Sequence, residues 1–204
     1  MAQADLNSLI VSNLKDLDAV TRHLEDTLQP LVGEAIDEVV ERHRTKAHWE
    51  GESAWNDDET WLAPKAWRKP DGSSRDEFLC NFFFQIDSEA EDEKDGYWLS
   101  QLLGLGHAKL GFRWVRNDVG KLRWRKSVGA NTTLIADLRG LGFNYDEKSG
   151  SFFLPVIIEP SAMSDALAQE TPQLALQPMK DALDTLVRSQ AKFDELLQAT
   201  ADVE

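Results

Sequence analysis

The chain has one cysteine, Cys80, so no internal disulfide can brace it, and a reducing, cytoplasmic setting is expected. No run approaches the roughly 18 apolar residues of a membrane-spanning helix, so no membrane partner is expected. Met1 to Leu6 lacks a basic start and an apolar stretch, so no leader peptide is expected. Positive charge is scarce: 22 Lys and Arg stand against 36 Asp and Glu, a net charge of −14. A general nucleic-acid coat or a binder of anionic membranes needs a positive surface, and this composition opposes both.

The signatures of common chemistries are missing too. His43 and His48 lie five apart, which does not place them on one helix face, and there is no His-Glu-x-x-His run. One cysteine excludes the Cys-rich zinc frameworks. Gly104-Leu-Gly106-His-Ala-Lys109 lacks the third glycine of a dinucleotide fingerprint and the Gly-Lys-Ser/Thr ending of a P-loop. Gly-x-Ser-x-Gly is absent, and Cys80 sits in a Phe-rich strand pattern as a small core residue. No metal or cofactor is expected, and the chain reads as non-enzymatic. The one enzymatic alternative is a carboxylate–metal, nuclease-like site drawn from Asp76, Glu77, Asp87 and Lys109.

What is present is ordinary globular material, 42% hydrophobic and 28% charged over 204 residues, enough for one well-cored domain with helical extensions. Residues 1–45 read as helix. Ile10, Leu14, Leu17, Thr21, Leu24, Leu28, Leu31 and Ala35 follow alternating spacings of four and three, a heptad seam. Pro30 predicts a kink or break near Gln29. Residues 179–204 repeat the seam with Met179, Leu183, Leu186, Gln190, Phe193 and Leu197. The two helices are expected to pair with each other or with a second copy, making a homodimer. Residues 160–178, rich in Ala, Gln, Ser and Pro, read as a linker that holds at most a short helix over Ser164 to Glu170.

The core domain, 46–159, carries the strands. From Phe78 to Asp87 the chain alternates, with Phe78, Cys80, Phe82, Phe84 and Ile86 on one face. Tyr97 to Leu105 is a further apolar stretch, expected as a strand with a short helix as the alternative. Lys109–Trp114 and Lys121–Arg125 are expected to form a hairpin, as are Phe143–Tyr145 and Phe152–Ile158, with Pro155 marking an edge. Asn131 to Arg139 reads as a helix closed by Gly140 or Gly142. Grouped strands predict an α+β fold: a central, mostly antiparallel sheet of hairpins, with long terminal helices packing on it or on each other.

One basic island interrupts the acidic chain. Residues 96–126 hold seven cations against the single acid Asp118. On the expected ribbon, Lys109, Arg113, Lys121, Arg123 and Arg125 share a face, Arg116 lies near the turn, and Phe112, Trp114, Leu122 and Trp124 lie opposite. Acids from Asp87 to Asp95 are expected either to neutralise that face or to leave it for a partner. Trp49, Trp55, Trp61 and Trp67 recur every six residues, and they pin a loop-rich segment to the sheet or form a recognition surface. The reading is an interaction protein of the inhibitor, antitoxin-like or assembly-factor kind. It would bind a protein partner through Lys109, Arg113, Arg116, Lys121, Arg123, Arg125, Trp61 and Trp67. A nucleic-acid-associated module or a DNA mimic is the alternative.

Overall fold

The computed structural model describes residues 3–57, 59–69, 77–87, 97–116 and 120–201. At its centre is one antiparallel sheet. Strands β1 (Glu50–Ala54), β2 (Glu59–Ala63), β3 (Cys80–Asp87), β4 (Lys109–Arg116), β5 (Asn144–Asp146) and β6 (Ser151–Pro155) lie in the order β1-β2-β3-β4-β6-β5. The alternation in β3 sets the register. Phe82 stands opposite Trp114, Phe84 opposite Phe112, and Ile86 opposite Leu110, so two apolar faces join into one. Phe152 of β6 extends it from Trp114, and Cys80 is buried on the same side.

Two long helices cover this face. In α8 (Gln177–Ala199), Met179, Leu183, Leu186, Ser189, Phe193 and Leu196 recur every three or four residues, and all are buried. Phe193 stacks on Trp114 with ring centroids 4.6 Å apart and meets Phe82 edge-on at 5.3 Å. Beside it, α3 (Gln29–Ala47) buries Val32, Ala35, Ile36, Val39 and Val40. His43 Nε2 lies 3.4 Å from Asp184 on α8. The terminal helices thus pack on each other and on the sheet, as the α+β reading requires. The expected break at Gln29 is instead a π turn, Leu24–Leu28, with the Gln29 amide donating to the Leu24 carbonyl. One loosened turn accommodates the donor that Pro30 lacks, and the helix runs on.

Four sequence expectations are corrected. Lys121–Arg125 is not a strand but the start of α5 (Lys121–Ala130), and β4 pairs with β3 and β6. Five residues of alternation mimicked a strand; the buried pair is Trp124 with Val128, one helical turn apart, and Leu122 faces solvent. Tyr97–Leu105 contains α4 (Trp98–Leu102), because Leu99, Leu102 and Leu103 have helical spacing. The 160–178 segment is packed structure: α7 (Pro160–Ala168) and a 3-10 turn, Pro172–Leu174, bury Met163, Ala166, Pro172 and Leu176. Its prolines start helices, where a missing donor costs nothing.

Pro155 lies not on an edge strand but at the end of β6, which runs between β4 and β5. Val156 N–H points to Leu110 O, so the Pro155 nitrogen faces the other way, where β5 has already ended opposite Phe153. The 131–139 helix is α6 (Thr132–Gly140). Gly142, at φ +100°, takes the backbone conformation that closes it.

Candidate functional site

The basic island does not form one surface. Lys109 and Arg113 lie on the sheet face opposite Phe112 and Trp114, as alternation along β4 demands. Arg113 pairs with Asp87 and donates to the Ser151 hydroxyl, and its guanidinium carbon lies 5.4 Å from the centre of the Phe153 ring. Arg116 points to the helix-covered side. It donates to the Thr200 carbonyl at 3.3 Å and hydroxyl at 3.2 Å and lies 5.2 Å over Trp124. A cation at the C-terminal end of α8 also meets the negative pole of that helix. Lys121, Arg123 and Arg125 belong to α5, with Arg123 and Arg125 exposed.

The hydrogen bonds around Arg113 continue into the β5–β6 turn. The Ser151 and Ser149 hydroxyls are 2.7 Å apart, and Ser149 donates in turn to Asp146. Asp146 also accepts the Lys148 amide at 2.8 Å and the Ser149 amide at 3.2 Å. Burial alone would raise the pKa of this carboxyl. The three bonds, with Arg113 nearby, outweigh it and hold Asp146 below the ordinary carboxylate value. Among the described residues no histidine joins this chain of bonds, which ends on the Asp146 carboxylate. Its chemistry is that of neutralisation: the charge of Arg113 is answered inside the fold, by Asp87.

Both tryptophans named as contact residues are core. Trp67 is buried against Phe82, Trp114 and Phe193, and its indole N–H donates to Asp194 Oδ1 at 2.6 Å. Trp61 lies opposite Phe83 on the other sheet face, with its ring 5.4 Å from Phe78. Trp49 and Trp55 meet Phe82 and Phe84 on the helix-covered face. The six-residue spacing therefore does not define a recognition surface; large aromatic area is more stable when buried. Of the carboxylates named for a metal, Asp76 falls outside the described residues, and Asp87 is taken by Arg113. Among the described residues no three His, Cys, Asp or Glu side chains gather into a metal-holding group, and no helix is long and apolar enough to cross a membrane.

A run of exposed apolar side chains lies along the N-terminal helices. Helices α1 (Gln3–Ser12) and α2 (Leu14–His23) lead through the π turn into α3. No residue of α2 is buried, and every described side chain of α1 is exposed. Leu14 is 59% exposed, Leu17 43% and Val20 65%, and Ile10 is likewise open. Leu24 and Leu28 are half-covered by the core, so the seam begins on the body and overhangs it. Tyr97 donates to Glu25 at 3.1 Å, near the point of departure. A groove of about 380 Å³ runs there between Ala19, Val20, His23, Leu24 and Leu28.

Fold and surface together define an α+β protein with a helix-covered antiparallel sheet and an overhanging helical arm. Comparison with protein-family models, with curated proteins and with solved structures found no match for the chain.

Proposed function

We propose that this is a non-enzymatic interaction protein that self-associates through its N-terminal arm, so that two bodies are held together for a protein partner. The observation that carries it is the overhanging seam of Ile10, Leu14 and Leu17, with Val20 beside it, which the described residues leave exposed. Isolated helices of this length are marginal in water, so the arm gains most of its stability from whatever covers it.

A second copy suits the seam. The 4–3 spacing is the repeat that lets two like helices wrap around each other. Flanking the seam are Val11, Asp18 and Glu25 on one side and Asn13, Val20 and Thr27 on the other. In a parallel pair each flank meets the opposite flank of its neighbour, so Asp18 faces Asn13. An antiparallel pair would set acid against acid. Covering Ile10, Leu14, Leu17, Val20 and Leu24 in both chains contributes on the order of 15 kcal/mol gross. That is comparable with the roughly 4–15 kcal/mol cost of association, and it fits a reversible dimer.

Sedimentation velocity over a concentration series tests this. The expected result is a monomer–dimer equilibrium that Leu14→Asp with Leu17→Asp shifts wholly to monomer, with the melting temperature of the body unchanged. A wild-type chain that stays monomeric at the highest concentration, or a variant that dimerises as well as wild type, overturns it.

A further inference from the structure

A second opening lies far from the arm in sequence, between α5, α6 and the β5–β6 turn. It is a cleft of about 570 Å³, within the range of small-molecule sites. Arg125 of α5, Thr132, Ile135 and Arg139 of α6, Tyr145 of β5 and Glu147 of the β5–β6 turn line it. Trp124 anchors α5 by donating its indole N–H to the Gly150 carbonyl at 3.2 Å, which turns the next residue, Arg125, toward the turn. Ile135 and Leu138 hold α6 on the core and leave Arg139 facing Tyr145, its guanidinium carbon 5.7 Å from the ring centre.

Among the described residues neither arginine is in an ion pair. This sets them apart from Arg113, which Asp87 answers, and from Arg44, which Glu41 answers. Both act on the Tyr145 hydroxyl electrostatically, against burial and the opposing charges of Glu147 and Asp146. The cleft is thus a wall of apolar and aromatic surface with two guanidinium forks and one carboxylate, a net charge of +1 in a protein of −14.

We propose that this cleft binds a small planar aromatic monocarboxylate. The ring lies against Tyr145 and Ile135, and the carboxylate is held between Arg125 and Arg139. A guanidinium matches a carboxylate with two parallel hydrogen bonds, and a planar ring fits beside an aromatic–arginine stack. Glu147 sets the charge class. It opposes a second negative charge, so a dianionic phosphate or a polyphosphate is disfavoured while a single carboxylate is tolerated.

The test is titration of the full chain with naphthalene-2-carboxylate, followed by amide NMR shifts and by calorimetry, with inorganic phosphate and AMP as contrasts. Saturable carboxylate binding is expected, with shifts confined to α5, α6 and the β5–β6 turn and affinity falling as salt rises. Arg125→Ala with Arg139→Ala is expected to weaken binding at least tenfold without lowering the melting temperature, since both side chains are exposed. Arg139→Lys keeps the charge but not the fork and should fall between. Glu147→Gln should tighten the carboxylate and admit phosphate. Absence of saturable carboxylate binding, undiminished binding by the double variant, or tighter binding of phosphate or AMP than of the carboxylate overturns the proposal. None of these outcomes depends on whether the arm dimerises.

Discussion

At the scale of single residues the deciding interactions are polar groups answered inside the fold. Asp146 is held ionised by bonds from Ser149 and the Lys148 amide, although burial opposes the charge. A depressed carboxylate pKa contributes stability that is present above the unfolded value, near 3.8, and is lost as pH falls through the folded value. Asp146→Asn should therefore destabilise the protein at pH 7, and the gap from wild type should narrow as pH drops below 3.8. Denaturant midpoints measured at both ends of that range check the sign. None of this was legible in the sequence. The Asp146-to-Gly150 run announced a turn, but which cation or hydroxyl would face it depends on β6 lying beside β4. Arg139, Tyr145 and Glu147 escaped sequence reading for the same reason: each is unremarkable alone, and only the packing of α6 over β5 makes them neighbours of Arg125.

At the scale of elements the two helical seams have opposite fates. The α8 seam is spent on the sheet: Phe193 touches Phe82, Trp114, Phe143 and Phe152. Phe193→Ala should cost about 3–5 kcal/mol, read as a lowered denaturant midpoint, because it empties the centre of that cluster. Removing residues 1–23 should leave the stability of the monomeric body within about 0.5 kcal/mol, because no described side chain before Leu24 is buried. Local periodicity reveals both seams but does not rank them. A seven-residue repeat says that a stripe will be covered, and it does not say by what. The strand read at Lys121–Arg125 failed on length, since five residues satisfy a period of two and a period of 3.6 almost equally.

At the scale of the whole molecule, net charge bears on the proposed association. The chain carries −14, and the arm from residue 3 to 28 contributes five acids against two cations. Two like-charged arms repel at long range, and salt screens that repulsion while leaving apolar burial intact. The proposed dimer should therefore tighten as sodium chloride rises, with sedimentation showing a lower dissociation constant in high salt. The cleft ligand, attracted by its two arginines, should respond in the opposite direction.

The sequence by itself determined the α+β class, the greasy face of β3, the α6 helix with its glycine close, the hairpin around Asp146, and the apolar character of both terminal helices. Each of these rests on local periodicity or on the φ/ψ preferences of single residues, which act within a few positions along the chain. Only the tertiary structure decided where charge ends up. Cations adjacent in sequence were sent to opposite sides of the sheet by β4 alternation and onto α5 by burial of Trp124 and Val128. The four evenly spaced tryptophans were drawn into the core because their area is worth most there. Neighbourhood in space is set by which strands pair and which faces are covered, and that is a property of the assembled core.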